Sequence, residues 1–337
     1  MPKIDLHTHI LPESWPNLRE RYGYGGFVEM QHVAPCRAQL IVDGKVFREV
    51  EDNCWEPKRR LEDCDRDGVH VQVLSTVPVM FSYWAQPHHA HDLSKLLNDH
   101  IAWVVATNPK RFIGLGTVPL QAPNLAVAEL ERCVLDLGLP GIQIGTHVND
   151  WNLDAPELFP VLARAEELGA AIFVHPWEML APERMRKYWL PWLIGMPTES
   201  AIAIASLLFG GVLERLPRLR ICFAHGGGSF AGILGRLEHG FAARPDLVAV
   251  ANPHPPSKYL GRFWVDSLTH DPDLLRRLIA LFGANRIALG SDYPFPLGED
   301  RPGTMIESMT DLSPDERDWL LFRTALEFLD RPLSAYL

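Results

Sequence analysis

Short apolar runs recur along the chain with longer mixed segments between them. Eight stand out: KIDLHTHI (3–10), VHVQVLST (69–76), FIGLGTVP (112–119), GIQIGTHV (141–148), AAIFVHP (170–176), LRICFAHG (219–226), RFWVDS (262–267) and RIALGSDYP (286–294). Several are apolar almost throughout, the pattern of strands buried on both faces. Between them, segments such as 123–137, 154–168 and 272–283 are amphipathic at helical spacing, mostly with Pro or Asp near their starts. Strand and helix patterns in alternation predict βαβ units on a parallel sheet. Eight units predict an α/β chain closed into a (β/α)8 TIM barrel, with a doubly wound sheet as the alternative.

Residues 11–56 break the repeat. In QLIVDGKVFREV, Asp43-Gly44 sits between two apolar-rich runs, a hairpin signal. This predicts a small inserted β-hairpin lid after the first strand. At the other end, SPDE (313–316) has the Ser-x-x-Glu capping pattern with Pro314 at the first helical position. It starts closing helices through WLLFRTALEFL. With no internal repeat, low-complexity tract or linker, 1–337 reads as a single barrel domain with the 11–56 insertion inside it.

Composition narrows the function classes. At 337 residues, 47% hydrophobic and 22% charged, the chain has the make-up of a soluble globular protein with a large core. A net charge of −10 with no Lys/Arg-rich run argues against a nucleic-acid partner. MPKIDLHTHI lacks the apolar core of a signal peptide. The longest apolar stretch, AIAIASLLFGGVL (201–213), is 13 residues, too short to span a bilayer, and predicts a buried or interface helix. No membrane partner is expected. Cys36, Cys54, Cys64, Cys133 and Cys222 form an odd set without C-x-x-C spacing, which reads as reduced, buried thiols in a cytoplasmic protein.

In a barrel, chemistry belongs at the C-terminal ends of the strands. The first run ends with His7 and His9, the fifth with His175, the sixth with His225 and the eighth with Asp292. On an alternating strand, Asp5, His7 and His9 share one face. Three imidazoles and a carboxylate suit Zn²⁺ and leave a position for a water that ionises near neutral pH. His225 leads through Gly226–Gly228 into a helix that Ser229 can cap, which places it beside that water as acid or base. A lone histidine at a strand end is more often hydrogen-bonded core than ligand. Polar residues at four strand ends of one rim argue for a site. The denser PHHAHD (87–92) opens a polar helical stretch and reads as surface.

The Asp5-x-His7-x-His9 start, His175, His225 and Ser291-Asp292 resemble the amidohydrolase superfamily of metal-dependent barrels. STVPVMFSYWA (75–85), GIQIGTHVN (141–149), YWLPWLIGMP (188–197), CFAHGGGSF (222–230) and LGSDYPFPLGE (290–299) bring the resemblance closer, to the 2-amino-3-carboxymuconate-6-semialdehyde decarboxylase family. It runs over nearly the whole chain. The resemblance implies a zinc-dependent, oxygen-independent decarboxylation that yields 2-aminomuconate 6-semialdehyde. In metabolism it implies tryptophan breakdown through kynurenine, or bacterial nitroaromatic degradation.

By the same resemblance, one Zn²⁺ per subunit would be held by His7, His9, His175 and Asp292, with His225 and Asp292 catalytic. Arg48 would hold a carboxylate of the small dicarboxylate substrate. Arg236, in FAGILGRLEHG, would do so from the neighbouring subunit, making a homodimer the active form. Phe47, Trp177, Met179, Trp192 and Phe295 flank these positions and either line a flat pocket or pack in the core. GIQIGTHV lacks the lysine that bridges two metals in binuclear members, which favours a single ion, and His147 lies nearby. RTALEFL (323–329) departs at Arg323 and Thr324 from the Gly-Asn-Ala of relatives, which puts local packing or loop anchoring in question but not the metal set. Hydroxide addition to the substrate and direct protonation of carbon both remain open. So do three other functions: a decarboxylase of an aromatic acid such as a hydroxybenzoate, an amidohydrolase-type hydrolase, and a non-catalytic zinc barrel.

Overall fold

All eight apolar runs become parallel strands of one closed sheet. The computed structural model describes residues 1–336. The strands are β1 (Ile4–Ile10), β5 (Val71–Thr76), β6 (Phe112–Gly114), β7 (Gly141–Gly145), β10 (Ala171–His175), β11 (Arg220–Phe223), β12 (Trp264–Asp266) and β13 (Ile287–Ala288). The inserted strands β2 (Val28–Ala34), β3 (Arg37–Val42) and β4 (Lys45–Glu51) fall between β1 and β5. A two-residue pair, β8 (His147–Val148) and β9 (Trp151–Asn152), follows β7.

The ladders run β1-β5-β6 and β7-β10-β11-β12-β13. The Gly116–Ile142 bridge joins β6 to β7, with Gln143 N–H donating to the Gly116 carbonyl at 2.7 Å. Leu6 N–H on the Leu289 carbonyl and His9 N–H on the Tyr293 carbonyl, both 2.8 Å, close the last strand onto the first. This is the (β/α)8 barrel. β7 approaches β10 so closely that a side chain at Gly141 would run into the Ala171 carbonyl, so only glycine fits there.

The strand ends are shorter than the apolar runs. The last run was expected to extend through Pro294, yet ladder pairing ends at Ala288. A side chain at Gly290 would press on Asp266, and Asp292 takes φ 58°, so the chain turns out of the sheet toward the barrel mouth. The apolar helix is longer than the 13-residue stretch suggested: Pro191–Phe209 is continuous, 19 residues at mean hydropathy 1.5. Half of it is buried, with Ala201, Ala203, Ile204, Leu207 and Leu208 in the barrel core. Four cysteines are buried as expected, but Cys36, in the β2–β3 turn, is exposed.

The insertion holds more than a hairpin. Asp43-Gly44 does turn β3 into β4, with Val42 opposite Lys45. β2 adds a third antiparallel strand, Val28 opposite Val42. Leu11, Leu18, Phe27, Leu40, Cys54 and Trp55 form a second core with Val77, Met80, Leu93 and Leu97 of the barrel side. Ser313 and Glu316 form the expected capping box. Arg323 pairs with Asp315 and Asp318 at 2.7 and 2.8 Å, and the Thr324 hydroxyl donates to the Ala284 carbonyl at 3.2 Å. The two departures from the family pattern are therefore anchored.

Candidate metal centre

The four strand ends converge. His7 Nε2 and His9 Nε2 lie 3.2 Å apart, and Asp292 Oδ1 is 3.2 Å from the first and 2.9 Å from the second. His175 Nε2 is 3.7 Å from the same oxygen, and His225 Nε2 is 3.8 Å from Asp292 Oδ2. His7, His175, His225 and Asp292 each offer a ligand atom within 4.8 Å of all the others. His9 joins them through its contacts with His7 and Asp292.

Each of the three expected imidazole ligands is oriented through its other nitrogen. His7 Nδ1 faces Asp266 Oδ2 at 2.7 Å, His9 Nδ1 the Thr76 carbonyl at 3.0 Å, and His175 Nδ1 the Pro176 carbonyl at 2.9 Å. These acceptors place the ring proton on Nδ1 and turn the Nε2 lone pairs toward one point. His175 Nε2 is buried with no hydrogen-bond partner, an orphan that a cation would satisfy. Two nitrogens each about 2.0–2.1 Å from one zinc at the tetrahedral angle lie about 3.3 Å apart. The His7–His9 spacing fits that geometry.

Backbone conformation aims the last two side chains. His225 and Asp292 have φ of 56° and 58°, left-handed values that bend the chain back over the barrel mouth. Burial opposes charge on Asp292, but the imidazoles around it, His7 first, hold its carboxyl well below the usual range. Burial keeps His9 and His175 neutral. Burial also works against charge on His7, yet Asp292 and Asp266 outweigh it and push its pKa up to about 10. An anionic carboxylate and neutral imidazoles are the forms that bind a cation, and binding at His7 releases a proton.

Next to this cluster a pocket is lined by His9, His175, Asp292, Arg48, Phe47, Trp177, Trp192 and Phe295 among others. In β4 an alternating strand would send Phe47 and Arg48 to opposite faces. The ladder instead steps from Ile41–Val46 to Leu40–Arg48, a bulge that admits both to the pocket. The Arg48 guanidinium lies 4.6 Å from the Phe295 ring centre and 5.7 Å from those of Phe47 and Trp192.

Arg236 is exposed on the helix Phe230–Ala243, away from the pocket of its own chain. Three expectations need correction. Met179 does not line this pocket; it lies against Gly195 in an adjoining cleft that Phe47 and Trp177 share. Ser229 does not cap that helix, because its hydroxyl donates to the Pro197 carbonyl at 3.2 Å. Asp5 does not reach the cluster: β1 shifts register between Asp5 and Thr8, and the carboxyl takes the N–H groups of His7 and Ser291 and the Ser291 hydroxyl. Burial pushes its pKa up to about 7.

His147 stands apart, its ring nitrogens each 2.9 Å from the carbonyls of Asn149 and Glu178. In PHHAHD, His89 stacks on Tyr22 at 4.3 Å and so ties a barrel helix to the insertion. The sequence reading missed Asp266. Its Oδ1 accepts from Gly226 N–H at 2.8 Å and Leu268 N–H at 3.1 Å, while Oδ2 holds His7. Its signal was the same as for the others, a charged residue closing an apolar run.

An amidohydrolase family profile matches residues 4–331. The chain is 58% identical to a 2-amino-3-carboxymuconate-6-semialdehyde decarboxylase from Dictyostelium discoideum, over 99% of this chain and 93% of that protein. It is 38% identical to the protein of the same name from Caenorhabditis elegans, over 97% and 94%. Among solved structures, a dihydroxybenzoic acid decarboxylase from Polaromonas sp. JS666, with bound manganese and the inhibitor 2-nitroresorcinol, superposes with a TM-score of 0.77. That match is 22% identical over 100% of this chain and 99% of the other.

Proposed function

The chain belongs to the amidohydrolase family, among the 2-amino-3-carboxymuconate-6-semialdehyde decarboxylases, and on that premise we propose that it converts 2-amino-3-carboxymuconate 6-semialdehyde to 2-aminomuconate 6-semialdehyde and CO₂. It is a metal-dependent carboxy-lyase. We assign one Zn²⁺ per subunit to His7, His9, His175 and Asp292, a donor set of imidazole nitrogen and carboxylate that suits zinc. When bound, such a cation lowers the pKa of a coordinated water and polarises oxygen ligands.

The observation that carries the substrate assignment is Arg48. Its guanidinium is half-buried among Phe47, Trp192 and Phe295, and no described carboxylate or carbonyl takes its N–H groups. Desolvation lowers its pKa even against the opposing pull of the Asp292 charge, the mark of a guanidinium held out of water with no carboxylate in hydrogen-bonding contact. A substrate carboxylate meets both needs through a two-pronged hydrogen bond. The aromatic walls suit a flat conjugated chain and keep water off it.

Loss of CO₂ leaves an electron pair on carbon, which a proton must quench. His225 Nε2 faces Asp292 Oδ2 across 3.8 Å, and its Nδ1 is buried without a partner. His225 lines a cavity beside the Arg48 pocket, with Trp192, Met196 and Leu297 common to both, and we assign its Nε2 to take a proton there and return it to the substrate carbon. Arg236, exposed on its own chain, reaches a substrate only from a second copy, so this reading requires a homodimer.

The test is a steady-state assay on the semialdehyde and on a hydroxybenzoate, following CO₂ release and loss of the semialdehyde's near-UV absorbance, with metal analysis of the purified protein. Turnover of the semialdehyde is expected, and R48A should lower kcat/KM about 10- to 100-fold, the worth of one charged hydrogen-bonded contact. Preference for the hydroxybenzoate, or unchanged turnover in R48A, defeats the assignment.

A further inference from the structure

Arg60 lies in the helix Pro57–Asp67, and its side chain is fully buried. Among the described residues no carboxylate lies within ion-pair distance of it. Nη1 donates to the His9 carbonyl at 2.6 Å and the Asn53 carbonyl at 3.0 Å. Nη2 donates to Thr8 Oγ1 at 3.0 Å, and Nε to Gln72 Oε1 at 3.2 Å. The guanidinium sits 4.8 Å from the Tyr293 ring centre, and the Tyr293 hydroxyl donates to Asp63 Oδ2 at 2.7 Å.

A guanidinium buried without an anion is costly, and well-packed apolar residues would serve stability as well or better. Its contacts show what it does instead. Thr8 and His9 belong to β1, Gln72 to β5, and Tyr293 follows Asp292. Thr8 bridges Tyr293, so the fork lies behind the seam where the first strand meets the last. That seam carries His7, His9 and Asp292. The β1–β5 ladder is irregular between Asp5 and Thr8, where His7 falls, and regular pairing resumes only at Thr8–Leu74 and His9–Ser75, the two residues that the Arg60 fork holds. The Thr8 hydroxyl also donates to the Val73 carbonyl at 2.7 Å, which extends the clamp across β5.

We propose that Arg60 is a positioning residue for the metal centre. From behind the barrel wall, its planar fork and its stacking on Tyr293 hold the His9 backbone and the segment after Asp292 in one register. The inference rests on the metal-centre reading above and adds the device that holds two of its ligand segments together. Lysine cannot replace the fork, because one ammonium does not reproduce its fixed donors or its stacking face.

The test strips the purified protein with a chelator, then titrates it with Zn²⁺ against a colorimetric competitor. Thermal midpoints of the metal-free forms are measured alongside. R60M should raise the Zn²⁺ dissociation constant about 10-fold or more, and R60K should fall between it and wild type. At saturating Zn²⁺ both should keep KM nearer wild type than kcat. If R60M does not fold, R60K decides. A lowered thermal midpoint with Zn²⁺ affinity within about two-fold of wild type is what a purely structural arginine gives, and it overturns the proposal. Wild-type protein without Zn²⁺ affinity overturns the metal-centre reading and this one together. Wild-type affinity preserved in the variants overturns only the role of Arg60.

Discussion

His7 Nδ1 and Asp266 Oδ2 lie 2.7 Å apart, both side chains fully out of solvent. The same carboxylate takes the N–H of Gly226, the residue after His225. One group thus orients an imidazole of the candidate metal cluster and anchors the loop that carries His225. In D266N, one of these two contacts faces an amide NH₂ in place of an oxygen. The expected result is a 10- to 100-fold loss of Zn²⁺ affinity, roughly the cost of losing an orienting carboxylate. A second expected result is a lower kcat that excess Zn²⁺ does not restore. Competition titration and steady-state kinetics at saturating metal separate the two effects.

The candidate site was legible because each member of the cluster interrupts an apolar run: in KIDLHTHI, FVHP, FAHG and LGSD a polar residue stands where a barrel strand ends. Asp266 offered the same cue in the shorter WVDS. Other positions left no such trace. Phe47 and Arg48 share the pocket only because of a bulge, which alternation does not foresee. Arg60 sits in KRRLEDCDRD beside Arg59, and helical spacing alone does not show that one arginine is buried and its neighbour half exposed. β2, with most of its residues exposed or half exposed, has no apolar rhythm to announce it. Strand identity followed from burial on both faces; pairing irregularities depend on contacts distant in sequence.

His225 lies close enough to Asp292 and His175 to be counted among the ligands, so its role needs separating from theirs. H175N should abolish stoichiometric Zn²⁺. H225N should keep one Zn²⁺ per chain and lose kcat about 10²- to 10⁴-fold, the range for a positioned acid or base. Metal analysis of both proteins checks this. Equal loss of Zn²⁺ in H225N would make His225 a ligand.

Arg48 lines the pocket of its own chain, whereas Arg236 is exposed on the same chain's surface. If the second guanidinium comes from a partner, two inactive variants complement each other. In a hybrid dimer of R48A and R236A, one site lacks both arginines and the other regains both. Random re-association makes half the dimers hybrid, so activity should recover to about one quarter of wild type. No recovery after dissociation and mixing places Arg236 outside the active site.

Buried charge behind the barrel wall also sets a pH dependence. His100 Nδ1 is buried with no hydrogen-bond partner. Burial first, and then the charge of Arg60, bring the pKa of His100 from 6.5 down to about 4. Below pH 6.5 the unfolded chain takes up a proton that the folded chain refuses. Stability from this residue is therefore full above about 6.5, falls with pH, and reaches its floor near 4. At pH 5 the loss amounts to about 2 kcal/mol at most. H100Q should shrink the drop in urea midpoint between pH 7 and pH 5, relative to wild type at matched metal loading. R60M should shrink it too by removing the nearby charge, though less, since burial is the larger cause. Equal drops in wild type and H100Q would show that His100 is protonated in the folded state as readily as in the unfolded one.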